Sequence, residues 1–186
     1  FHALGGKTQC AARILEYCKT NNGYEDVIPL CQSVASTNST KTDEVLSIAR
    51  SKITNDGLKH LRESASLTVV AIDQTAVTDA GLEHLATIPR LTSLDASGCA
   101  VGDAGIASLA DAPLLKTLVL RGTQIGDESL AHVARMPQLQ TLQIERTKVT
   151  NAGLKHLAGK TTLSALSLYR TEVTDAGVAE LNQSIP

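Results

Sequence analysis

Thr78 to Val101 reads TDAGLEHLATIPRLTSLDASGCAV, and the chain on either side repeats its pattern every 24 positions. Gly57, Gly81, Gly105, Gly153 and Gly177 stand at multiples of that spacing, with Ser129 in the remaining place. One residue later come Leu58, Leu82, Ile106, Leu130, Leu154 and Val178. Ile53, Val77, Val101, Ile125, Val149 and Val173 form a third column upstream, and Leu91, Leu115, Leu139 and Leu163 a fourth. A fixed period of this length means that each unit buries its apolar face on the next, so contacts accumulate unit by unit and no globular core is required.

Within a unit the apolar residues change period. Leu46, Val70, Leu94, Leu118, Leu142 and Leu166 alternate with Ile48, Ile72, Ala96, Leu120, Ile144 and Leu168 two places on, which is the spacing of a strand with one face buried. Strands are expected around 44–50, 69–72, 93–96, 117–120, 141–144 and 165–168, pairing in parallel. Each is followed by a polar turn, an inward Val or Ile, and a short helix. The helix docks through pairs such as Leu58 with Leu61 and Leu82 with Leu85, three residues apart. Asn55, Asp79, Asp103, Asp127, Asn151 and Asp175 stand just before these helices and are expected to cap them, because Asp and Asn accept the free amide hydrogens of a first turn. The Gly column is expected to allow close approach of neighbouring helices, and Pro89, Pro113 and Pro137 to stop the helix before the next strand. Ser51, Thr75, Cys99, Thr123, Thr147 and Thr171 are expected to turn inward and bond to backbone in the loop.

The segments LKTLVLRGT (115–123), LQTLQIERT (139–147) and LSALSLYRT (163–171) carry an LxxLxLxx core, the mark of a leucine-rich repeat. Over roughly residues 43–186 the chain resembles the bacterial leucine-rich repeats of 24 residues, including the GALA-type repeats of plant-pathogen effectors. It is less similar to the cysteine-containing repeats of F-box proteins. The expected class is α/β: a right-handed solenoid with a parallel concave sheet, short convex helices and an N-terminal helical cap. Residues 1–40 would form that cap and 41–186 a domain of about six repeats. The cap rests on Thr8–Lys19 and about 24–34, two stretches of helical spacing ahead of the first repeat; an upstream domain's end is the alternative. GALA-type effectors resemble ubiquitin-ligase adaptors, but residues 1–40 contain no recognisable F-box.

The composition narrows the function. A net charge of −2 gives no whole-chain attraction to nucleic acid or anionic lipid, and no apolar run is long enough to span a membrane. The chain opens on Phe1, so the lack of a signal peptide is uninformative and the compartment is open, cytoplasmic or that of a secreted effector. Cys10, Cys18 and Cys31 crowd the first 31 residues while Cys99 sits alone in a repeat core. Reduced structural thiols are expected, with a link from Cys10 or Cys18 to Cys31 as the rival. No metal spacing, phosphate loop or nucleophile–base pairing is present, so neither cofactor nor catalysis is expected. His60, His84, His132 and His156 recur at the period but lack a matching acid or thiol column, and are expected to pack at helix ends or the surface.

Specificity is expected where the columns vary, on the exposed strand positions of the concave face. The candidates are Asp73, Asp95, Arg121, Glu145, Arg146, Tyr169 and Arg170. They suit a protein partner of complementary charge, with Arg and Tyr as anchors. Two further readings are the recognition part of an effector or ubiquitin-ligase adaptor, and a structural repeat protein that self-associates as a homodimer through its C-terminal edge.

Overall fold

The computed structural model describes residues 44–62 and 64–184; the expected cap, Cys10, Cys18 and Cys31 lie outside them. Six short strands alternate with six helices. The strands are β1 (Glu44–Ser47), β2 (Leu67–Ala71), β3 (Ser93–Asp95), β4 (Thr117–Val119), β5 (Thr141–Gln143) and β6 (Ala165–Ser167). The helices are α1 (Asn55–Leu58), α2 (Asp79–Leu85), α3 (Asp103–Leu109), α4 (Asp127–Arg135), α5 (Asn151–Leu154) and α6 (Asp175–Ser184), with 3-10 turns extending α1 and α5. All strands pair in parallel in chain order. The result is a right-handed leucine-rich-repeat solenoid, the hand that parallel crossovers favour.

Register follows the 24-residue period, with Val70, Leu94, Leu118, Leu142 and Leu166 side by side in successive strands. The two inward columns are sealed from Leu46 and Ile48 as far as Leu142 and Ile144, whereas Leu166 and Leu168 are only partly covered. In the sixth repeat Leu163 and Val173 are also half-buried and Val178 is exposed. Strands β2 to β6 each end one residue earlier than the alternation predicts, and β1 three earlier. The second inward residue keeps its ladder bond, as in Ala96 N–H to Val119 O at 2.9 Å, but the chain is already entering the turn.

The inward hydroxyl column behaves as expected. Ser51, Thr75, Thr123, Thr147 and Thr171 each donate to the carbonyl three residues back at 2.7 Å. Cys99 is a free, buried thiol that reaches instead to Ile72 O of the preceding repeat at 3.1 Å, the longer reach that a larger sulfur permits.

The Asp and Asn column departs from expectation. These residues occupy the first helical position, and the cap places belong to Thr54, Thr78, Gly102, Gly126 and Thr150; of these side chains only Thr150 accepts a cap bond. Each Asp or Asn points away from its own helix toward the next repeat. Oδ1 of Asn55, Asp79, Asp103, Asp127 and Asn151 accepts the N–H of Thr78, Gly102, Gly126, Thr150 and Thr174 at 2.7–2.9 Å. The same ladder explains the Gly column. A Cβ on Gly105 would lie 2.6 Å from Asp79 Oδ1, and one on Gly153 2.4 Å from Asp127 Oδ1. The close approach is to the first residue of the neighbouring helix, whose Oδ1 and Cα both meet the added Cβ. Ser129 fits because its Oγ donates to Asp103 Oδ1 at 2.5 Å, turning a collision into a hydrogen bond.

Candidate functional site

The concave surface is built from three columns at the carboxyl ends of the strands, half-buried to exposed. The first is the outward strand residue, Asp95, Val119 and Gln143 in the middle repeats. The second opens the turn, as in Asp73, Ser97, Arg121, Glu145 and Tyr169. The third is the next residue, and its backbone is left-handed in every repeat: φ is 57° at Arg50, 55° at Gln74, 68° at Gly98, 65° at Gly122, 57° at Arg146 and 58° at Arg170. An L side chain in this region costs about 1–2 kcal/mol, and glycine none. At Gly98 and Gly122 the turn therefore carries the residue that its conformation prefers.

Together the columns enclose an open groove of about 760 Å³, walled by Asp73, Asp95, Arg121, Glu145, Arg146 and Tyr169. Arg50, Gln74 and Ser97 also reach it; nothing in their residue type sets them apart from other exposed polar side chains. Arg170 does not line the groove; its guanidinium stands over the Tyr169 ring, 5.2 Å from the centroid.

The charges are distributed unevenly. Glu145 is held from both sides, taking Arg121 Nε at 3.2 Å and Ser167 Oγ at 2.7 Å. Arg121 also donates to the Gln143 side-chain carbonyl. That pair is internally neutral. Asp95 Oδ1 accepts the N–H and Oγ of Ser97 at 2.9 and 2.6 Å, an Asx-type turn that orders the loop. Asp73 and Arg146 form no ion pair or side-chain hydrogen bond among the described residues.

The histidines belong to the convex side. His60 and His156 are exposed and His132 is half-buried, but His84 is buried and its Nδ1 has no hydrogen-bond partner. Burial, followed by the nearby Arg62 and Lys59 charges, lowers its pKa below the ordinary value of 6.5. Among the described residues no three His, Cys, Asp or Glu side chains are grouped to hold a metal ion, and no helix is long and apolar enough to cross a membrane.

The profile of the family described as Leucine Rich repeat matches residues 89–110 and 112–134. No curated protein sequence matches the chain. Among solved structures, an internalin from Listeria monocytogenes is similar with a TM-score of 0.58 and 23% sequence identity, over 75% of this chain and 45% of that one. The chain thus spans less than half the length of that internalin, and the likeness is one of fold.

Proposed function

We propose that the concave face is a protein-docking platform and that the molecule works by binding rather than catalysis. The observation that supports this best is Tyr169. It is the one aromatic residue after Tyr24, and it is 64% exposed beside the groove instead of filling the core. A Tyr offers a large, stiff contact area with a polar tip, and such residues with Arg carry most of the energy in protein interfaces. The groove spans several strands, so contact is multivalent across repeats that hold one another in place.

Pull-down and binding measurements with Arg121, Tyr169 and Arg170 all changed to Ala test this reading. Affinity for the captured partner should fall more than tenfold, the scale on which anchor residues act. A convex change, Glu83→Lys, should leave it intact. Equal capture by the triple variant would overturn the platform. A role as the recognition part of an effector or adaptor would use the same face, and the partner's identity decides between them.

A second reading is a homodimer through the β6 edge. It is favoured by the half-covered Leu163, Leu166, Leu168 and Val173 of the last repeat and by the outer edge of that strand, which is unpaired among the described residues. Light scattering over a concentration series should then show mass doubling, and a monomer throughout would remove this reading.

A further inference from the structure

The left-handed turn column holds a contradiction that points to a ligand. At Gly98 and Gly122 the chain places the residue that this conformation prefers; at Arg146 and Arg170 it places arginine in the same conformation and forgoes stability. At Arg146 the backbone cannot relax to relieve this, because the turn is tied to the next repeat. The N–H of the turn residue donates across repeats, Gly98 to Arg121 O at 2.7 Å, Gly122 to Glu145 O at 2.8 Å and Arg146 to Tyr169 O at 2.9 Å, so the conformation is imposed whatever the side chain.

Among the described residues no carboxylate pairs with either arginine. The Arg146 side chain is exposed, and its guanidinium has no ion-pair or hydrogen-bond partner among the described residues. The adjacent carboxylate, Glu145, is already engaged by Arg121 and Ser167. Arg170 contacts the Tyr169 ring, which holds its guanidinium in place without neutralising it. The two stand in the turns that follow neighbouring strands, about 5 Å apart at the backbone.

We propose that Arg146 and Arg170, with Tyr169 between them, form a recognition subsite for a carboxylate-bearing segment of a protein partner. This rests on the reading of the concave face as a docking platform and names the chemistry of what docks there. The guanidinium fork matches a carboxylate through two parallel hydrogen bonds, and two forks on adjacent strands can take neighbouring acidic side chains of one extended chain. The preset backbone and the stacked ring limit the freedom lost on binding.

The test uses labelled hexaglutamate and hexaglutamine peptides as probes, with binding followed by fluorescence anisotropy and thermal stability measured on the same proteins. Hexaglutamate should bind the wild type and hexaglutamine should not. The pair Arg146→Gly with Arg170→Gly should weaken binding at least tenfold and raise Tm by a few degrees. The pair Arg146→Ala with Arg170→Ala should lose binding equally with no gain in Tm, because the strain remains. Lys52→Gln with Lys116→Gln, which removes the same charge elsewhere, should bind as the wild type does. No hexaglutamate binding up to millimolar concentration, equal binding by the Gly pair, a lower Tm in the Gly pair, or equal loss in the Lys control would each overturn the proposal. If the Gly pair also captures the protein partner unchanged while the Arg121, Tyr169 and Arg170 triple variant does not, the acidic subsite falls and the platform stands.

Discussion

On the helical side of the sheet, Asn55, Asp79, Asp103, Asp127 and Asn151 each accept a main-chain N–H of the following repeat. On the concave side the equivalent bond runs from main chain to main chain, as from Gly122 N–H to Glu145 O. Both ladders tie one repeat to the next, yet they constrain residue type in opposite ways. Where a side chain makes the bond, the column holds only Asp or Asn, and a small residue must stand beside it in the next repeat. Where the backbone makes the bond, the side chain is released, and Arg, Gln and Gly share one conformation. Variability is permitted where the scaffold does not depend on side-chain chemistry, and that is where a binding surface can be written.

The comparison can be broken most severely at Asp103, whose Oδ1 accepts the N–H of Gly126, the N–H of Ser129 and the Ser129 hydroxyl. Asp103→Ala leaves these donors without an acceptor and should cost about 3 kcal/mol in urea unfolding. Asp103→Asn should retain most of that stability, as Asn55 and Asn151 do in their own repeats; a loss as large as that of Ala would mean that charge rather than hydrogen bonding holds the ladder. A smaller contrast lies between two glycines. Gly105→Ala should destabilise by about 2 kcal/mol, although helix propensity favours Ala, because its Cβ meets Asp79 Oδ1 at 2.6 Å and Asp79 Cα at 3.1 Å. Gly122→Ala meets nothing within 4 Å and should cost only the left-handed strain, about 1 kcal/mol. Thermal melts that rank the two the other way would show the ladder to be more pliable than the turn.

The smallest effect is that of pH at His84. Its pKa is lowered in the folded chain, so below 6.5 the unfolded chain binds the proton first. The neutral form's contribution is complete above the unfolded pKa and is lost as pH falls through the folded one. The Tm of His84→Leu should gain on that of the wild type between pH 7.5 and pH 5. A constant difference would show that the imidazole does not titrate differently on folding.

Six of the seven candidate site residues line one groove, and this much was legible because strand alternation and period together assign each residue to a face. The roles within the groove were not. That Glu145 pairs with Arg121, leaving Arg146 unpaired, depends on side-chain reach across neighbouring strands. Lys160 is a similar case. It stands in the column of the buried Ile88, Ala112 and Met136, which a periodic reading takes for an apolar site. In the fold its ammonium donates to Met136 O at 2.6 Å and Ala134 O at 3.3 Å, beside the end of α4. A long stem with a polar tip can occupy an apolar column when open carbonyls lie within reach.

The period, the inward columns, the order of the strands and the surface left to vary are legible in the chain alone. Those follow from residue type at a fixed spacing. The direction of the Asp and Asn bonds, the reason for glycine beside them, and the left-handed column beneath Arg146 and Arg170 were decided only by the tertiary structure. Each involves groups 23–26 residues apart, which meet only once one repeat is stacked on the next.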